Sequence, residues 1–168
     1  ARMDADDISV LNRFEEKIKY LENNKSVDVI GSFIDEYDEL MQSKISARIV
    51  PEYDIDIKRY IKFRNPINHV TVIYKKSKVL EAGSYEDFPY FEDYYLWAKM
   101  MKNNCEFYNI QKSLVNVRSG FSMYERRGGK KYITYIRKFE QGLLKLEIIN
   151  KVEYYKNLSK RIIIALFP

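Results

Sequence analysis

Leu11, Phe14, Ile18 and Leu21 recur at three- and four-residue intervals, with Glu15, Glu16, Lys17 and Lys19 between them, so residues 10–24 predict an amphipathic helix. Val27-Asp28-Val29-Ile30-Gly31-Ser32 predicts a short buried strand ending at a glycine, and the polar stretch 35–46 reads as an excursion from it. Ile55, Ile57, Tyr60 and Ile61 alternate with charge and predict a helix over 54–63. Asn65-Pro66 ends it, because a residue before proline is pushed out of the helical region. The β-branched and aromatic run His69-Val70-Thr71-Val72-Ile73-Tyr74 predicts a strand, and Gly83-Ser84-Tyr85 a turn. After Glu92-Asp93, the residues Tyr94, Trp97, Ala98 and Met101 share a helical face that ends near Asn103-Asn104. Residues 105–110 and 114–118 read as two more short strands, and Arg126-Arg127-Gly128-Gly129 as a basic loop. Helical sequence follows: Ile133, Ile136, Phe139, Leu143, Leu146 and Ile149 form one stripe, and a second apolar run from Ile162 to Phe167 follows Lys160-Arg161.

A chain of 168 residues can build one core and would be crowded by two full domains. The first motif lies at position 4 with no sequence before it to form the strand that would hold it, so the chain reads as part of a larger domain. Lys and Arg number 29 against 24 Asp and Glu, a net charge of +5, but the basic residues are dispersed; charge alone selects neither nucleic acid, an anionic membrane nor a phosphorylated ligand. The single cysteine, Cys105, excludes an internal disulfide and a cysteine metal cluster, and is expected as a small buried apolar residue. No stretch approaches the roughly 18 consecutive apolar residues of a membrane span.

Candidate chemistry centres on acids. In Asp4-Ala5-Asp6-Asp7 three carboxylates crowd together, and their repulsion is relieved by a bound cation or by solvent. Hard oxygen ligands suit Mg²⁺, Mn²⁺ or Ca²⁺ over zinc, and Mg²⁺ or Mn²⁺ on one or two carboxylates completes its shell with phosphate oxygens. An EF-hand calcium loop is excluded, since Ile8 and Ser9 stand where an oxygen ligand and a glycine are needed. The competing reading is an acidic helix entry with Asp7 or Ser9 as N-cap. Glu92-Asp93, at the start of the Trp97 helix, is likewise a helix cap or a carboxylate kept ionised as a general base.

The order of these features resembles the family 2 glycosyltransferases of the GT-A fold, of the bacterial type that builds surface polysaccharides. The matching stretches are Ala1-Arg2-Met3-Asp4-Ala5-Asp6-Asp7 with Arg13-Phe14, Val29-Ile30-Gly31-Ser32, Asn65-Pro66 with His69-Val70-Thr71-Val72, Gly83-Ser84-Tyr85, Glu92-Asp93-Tyr94-Tyr95-Leu96-Trp97, and Arg118; together they span most of residues 1–118. The resemblance implies an α/β fold, the C-terminal portion of a Rossmann-like, mixed-sheet GT-A domain. Residues 1–122 would be its metal- and acceptor-binding part and residues 123–168 a basic loop with C-terminal helices. The family's N-terminal nucleotide-binding part is absent, so the chain alone is expected to lack normal transferase activity.

By the same resemblance, Asp4-Ala5-Asp6 is the Asp-X-Asp motif, with Asp6 ligating Mn²⁺ or Mg²⁺ and Asp4 approaching the metal or the nucleotide ribose. Asp93 would be the general base of an inverting transfer from a nucleotide-sugar, expected to be a UDP-sugar, to a glycan or lipid-linked acceptor. Glu92 would contact the acceptor, and Gly83, Ser84 and Tyr85 would lie beside the sugar. Trp97 is either core or an acceptor platform, and Arg118 either a diphosphate partner or one end of a surface ion pair. His69, the only histidine, is a hydrogen-bonded core residue or a participant, and Arg126 and Arg127 a closing loop or a solvated linker. Lys160-Arg161 and the apolar run after them could lie on the cytoplasmic face of a membrane or pack as a last helix. Two other classes stay open: a non-catalytic interaction module, and a basic nucleic-acid-binding domain, which the unneutralised acids disfavour.

Overall fold

Val27, Val29, Ile30, Ser32 and Ile34 are buried on both faces of one strand, which makes it the centre of the sheet. The computed structural model describes residues 1–120 and 129–166. In chain order the elements are β1 (Ile8–Ser9), α1 (Arg13–Asn23), β2 (Val27–Tyr37), β3 (Lys44–Arg48), α2 (Asp54–Tyr60), a 3-10 turn (His69–Thr71), β4 (Ile73–Tyr74), α3 (Lys76–Glu81), α4 (Glu92–Lys102), β5 (Glu106–Arg118), α5 (Gly129–Lys145) and α6 (Lys151–Leu166). The α/β expectation holds: a mixed sheet runs β1-β5-β2-β3, with β5 parallel to β2 and β1 antiparallel to β5. The other edge of β2 pairs antiparallel with β4 at Val29 and Ile30, then with β3 from Ile34 onward.

Alternating side chains of β2 and β5 feed two cores. Val27, Ile30, Ile110 and Leu114 meet Tyr20 and Leu21 of α1 on one face. On the other, Val29 and Phe107 join the larger core with Ile57 of α2, Leu96, Trp97 and Met100 of α4, and Phe139 and Leu143 of α5. The rings of Phe91 and Phe139 stack at 4.5 Å, fixing the α5–α6 hairpin against the start of α4. Helix α6 opens with a reciprocal capping box, Glu153 N–H donating to Asn150 Oδ1 at 2.9 Å and Asn150 N–H to Glu153 Oε2 at 2.8 Å. Cys105 is buried and free, as its apolar character required.

Four sequence expectations are corrected. Helix α1 forms, but rotated about its axis: Leu11, Phe14 and Ile18 are exposed, Leu21 still packs on the core, and Arg13 and Lys17 are 1% and 0% exposed. The run 69–74 is a strand only at Ile73–Tyr74. Its first half coils because its carbonyls have other donors: Arg13 Nη2 donates to Val70 O at 2.9 Å, and Lys17 Nζ donates to Thr71 O. The two short strands at 105–118 are one, β5, whose register shifts absorb Gln111 and Lys112 opposite Ser32 and Phe33. The polar stretch 35–46 is a hairpin, its strands joined by pairs from Ile34↔Arg48 to Tyr37↔Lys44. The loop residues Arg126, Arg127 and Gly128 lie outside the described residues, as does Phe167.

Candidate active site

The acid segment is held by cations on both sides. Arg2 Nη2 lies 2.7 Å from Asp4 Oδ1, and the carbonyl of Arg2 accepts from Arg13 Nη2 at 2.6 Å. Buried Arg13 thus ties the acid segment to Val70 beside His69. Lys17, one turn further along α1, donates to the Thr71 and Ile30 carbonyls, and burial with the nearby Arg13 charge brings its amine down to about 6. Asp7 turns inward, where burial pushes its carboxyl up to about 6 although the Arg118 N–H donates to it at 3.3 Å. Asp4 is half-buried and Asp6 exposed.

Asp93 sits in the first turn of α4, where free N–H groups and the helix dipole favour an anion. Asn65 Nδ2 donates to its Oδ2 at 2.7 Å, and His69 Nδ1 stands 4.0 Å from the same oxygen. Burial raises the carboxyl above the usual range, while Asn65, the Tyr94 N–H and Arg48 pull it back. The other ring nitrogen of His69 is 2.9 Å from the Tyr85 hydroxyl. Burial, then the charge of Arg2, holds the imidazole at about 4, so it is neutral at pH 7. Glu92 and Asp4 act on it in the opposite sense, which places it within reach of both acid groups.

The turn that presents Tyr85 needs left-handed backbone at two positions, Gly83 (φ 83°) and Ser84 (φ 57°). Lys99 Nζ of α4 donates to Ser84 O and to Glu86 Oε1, both at 2.7 Å, and so fixes the turn to the helix that carries Asp93. Asn65 is placed by a longer chain of contacts. Asn109 Nδ2 of β5 donates to the Pro51 and Pro66 carbonyls at 2.7 and 3.0 Å. Gly31 makes room for it: a Cβ there would stand 2.1 Å from Asn109 Oδ1. Asn68 Nδ2 donates to Ser32 O at 2.9 Å, and Ser32 N–H donates back to Thr71 Oγ1 at 3.0 Å, pinning the His69 turn on β2.

The fold therefore brings Asp4, Tyr85 and Asp93 together around His69, with Glu92 exposed on the first turn of α4. Trp97 is wholly buried, its ring 5.9 Å from that of His69, so it supports the site from behind as core. Arg118 is exposed, but its guanidinium donates to the Glu39 carbonyl and its N–H to Asp7. Four participants carried no assigned role in the sequence reading: Arg2, Asn65, Lys17 and Lys99. A charge placed inside an apolar period, as Arg13 and Lys17 are, was the available signal for a buried cation.

As a cation site, Asp4 and Asp6 are hard carboxylate donors reached from solvent. Among the described residues no group of three or more His, Cys, Asp or Glu side chains is placed to hold a metal. This donor set fits an ion held by one or two carboxylates that completes its shell with water and substrate oxygens, and does not make an all-protein cage.

Similar proteins agree in kind. The chain is 37% identical over 151 residues to the amylovoran biosynthesis glycosyltransferase AmsE of Erwinia amylovora, covering 90% of this chain and 54% of that protein. It is 33% identical over 167 residues to the UDP-Gal:alpha-D-GlcNAc-diphosphoundecaprenol beta-1,3-galactosyltransferase of Escherichia coli, covering 99% and 60%. An uncharacterized glycosyltransferase of Haemophilus influenzae is 38% identical over 128 residues, 76% of this chain and 47% of that one. The chain thus spans about half the length of these relatives. No family model matches it.

Proposed function

Because the chain belongs to the glycosyltransferases of bacterial surface-polysaccharide type, we propose that the natural protein transfers a sugar, with inversion, from a nucleotide-sugar to a glycan or lipid-linked acceptor, Asp93 acting as the base. The observation that carries this reading is the Asp93 carboxyl itself, raised by burial yet oriented by Asn65 at 2.7 Å beside a neutral histidine. A raised carboxylate is a stronger base, and Asn65 with the helix N-terminus favours its ionised form against the burial that raises it. In the proposed reaction the acceptor oxygen forms a bond to the anomeric carbon as the bond to the diphosphate breaks, and Asp93 takes the hydroxyl proton. Tyr85, fixed by Lys99 through the Gly83-Ser84 turn, would lie beside the sugar with Glu92 toward the acceptor. Arg2 would approach the diphosphate, its present partner Asp4 being free to turn to a cation. Asp6 and Asp4 would hold Mn²⁺ or Mg²⁺, which when bound supplies positive charge to the departing diphosphate.

The name of the Escherichia coli relative makes UDP-galactose and a GlcNAc-diphosphate lipid the first donor and acceptor to try. The expected result is release of UDP that requires Mn²⁺ or Mg²⁺ and falls at least about a hundredfold in Asp6→Asn. Full release in EDTA, or by Asp6→Asn, would overturn the metal reading. We place recognition of the nucleotide base in the part of the relatives that this chain does not match, so residues 1–168 alone are expected to turn over no donor.

We also propose a peripheral contact with an anionic membrane through α6, with one revision of the sequence reading. Arg161 points inward, and the outward face carries Val152, Tyr155, Ile163 and Leu166 with Lys156 and Lys160. Among the described residues no helix is long and apolar enough to cross a membrane.

A further inference from the structure

Arg161 of α6 lies behind the candidate base. Its Nε is 2.7 Å from Oε1 of Glu140, which is wholly buried. Its guanidinium carbon stands 5.7, 5.7 and 5.5 Å from the ring centroids of Phe91, Tyr94 and Phe139. Nη2 of the same arginine donates to the Phe63 carbonyl at 3.2 Å. One turn earlier, Asn157 Nδ2 donates to the Lys62 carbonyl at 2.7 Å and reaches Glu140 Oε2 at 3.4 Å. The Tyr94 hydroxyl donates to the Ile61 carbonyl at 2.6 Å. Three consecutive carbonyls of the turn that follows α2, Ile61 to Phe63, are thus each taken by a side chain of α4 or α6.

The position of these contacts gives them a meaning beyond packing. Two residues after Phe63 comes Asn65, the donor to Asp93. Asp93 in turn lies between Phe91, the N-cap of α4, and Tyr94 in its first turn, whose rings both face Arg161. Both segments that meet at the Asp93 carboxylate are therefore gripped by one arginine. A buried ion pair is seldom more stabilising than apolar packing of the same volume, so what this one supplies is direction.

We propose that Arg161, paired with Glu140 and joined by Asn157, is a positioning device: it locks residues 61–65 against the first turn of α4 so that the Asn65 amide meets the Asp93 carboxylate. The inference rests on Asp93 being the base, and its test is chosen to fail separately from that reading. The titratable and charged groups facing Asp93 are His69, Arg48 of β3 and Tyr85, with Arg161 and Glu140 beyond Tyr94.

The test uses the full natural protein with aspartate labelled with ¹³C at the side-chain carboxyl, the Asp93 signal being identified by its loss in Asp93→Asn. The carboxyl is titrated by NMR in wild type, in Asn65→Ala, in Asn157→Ala, and in the doubly neutral Glu140→Gln/Arg161→Gln, which leaves the net charge unchanged. Loss of the Asn65 hydrogen bond is expected to raise the Asp93 midpoint by about half a pH unit or more. Both clamp variants should move it in the same direction, and adding Asn65→Ala to either should move it little further, because both changes remove one interaction. Clamp variants that melt earlier but leave the Asp93 midpoint at its wild-type value, or shifts that simply add to that of Asn65→Ala, would overturn the proposal. Should the double variant not fold, Asn157→Ala decides by the same criterion. Retained turnover in Asp93→Asn would remove the catalytic reading while leaving this positional test intact.

Discussion

Lys17 is the least expected residue of the chain, a wholly buried amine that gives its protons to backbone carbonyls. Its pKa falls from 10.5 in the ordinary state to about 6 in the fold. Above about 6 the folded protein sheds this proton while the unfolded chain keeps it, so stability rises with pH toward 10.5 and the contribution is lost as pH falls through 6. Denaturant unfolding followed between pH 6.5 and 9 should show a rise approaching about 1.4 kcal/mol per pH unit from this group. In Lys17→Met that rise should vanish, so the stability difference from wild type should change with pH, on top of a pH-independent loss of about 1–3 kcal/mol for the Thr71 carbonyl left without its donor. An unchanged slope in the variant would show that Lys17 stays charged in the fold. His69 offers a second residue-scale check. Held at about 4, it contributes no change of charge between pH 5 and 8, so the acid limb of any rate profile should survive His69→Asn and move in Asn65→Ala.

At the scale of elements, glycine and asparagine form one joint. Gly31 in β2 stands opposite Asn109 in β5, and the asparagine carries the carbonyls on either side of α2. Gly31→Ala should cost about 1–3 kcal/mol in urea unfolding, because Asn109 must rotate away from Pro51 and Pro66. Gly31→Ala combined with Asn109→Ala should not lose more than Asn109→Ala alone, and a strictly additive loss would mean that the two do not share this contact. The elements themselves were legible where a period ran uninterrupted, as in α4 and α5, whereas α2, expected to run to Phe63 before Asn65-Pro66, ends at Tyr60. Residues 69–71 misled because β-branched sequence describes what a side chain prefers and says nothing of which donor its carbonyl will meet; here the donors came from α1. The same buried cations rotate α1 about its axis, so that Arg13 and Lys17 share the inner face with Leu21 while Phe14 and Ile18 turn to solvent.

Across the whole molecule, the acids legible as a cluster, Asp4 and Asp6, and the acid pair legible as a helix start, Glu92 and Asp93, are 86 or more residues apart in sequence, and the sheet brings Asp4 and Asp93 to the same histidine. The groups that tune them, Asn65, Arg2 and Lys99, were not legible as such, because an amide or a lone cation acquires a role only from the distant partner it meets. The outward face of α6 belongs to this scale too. The full natural protein should sediment with phosphatidylglycerol vesicles and far less with phosphatidylcholine, and Lys156→Glu/Lys160→Glu should abolish the difference. Equal sedimentation of variant and wild type would assign that face to something other than an anionic lipid surface. The central claim, that Asp93 is the base of sugar transfer, is tested most directly by the rate of UDP release from UDP-galactose with Mn²⁺ and acceptor, comparing the full natural protein with its Asp93→Asn variant. A fall of at least about a hundredfold with donor binding preserved is the result expected of a base used only in the transition state; turnover by Asp93→Asn near the wild-type rate would contradict it.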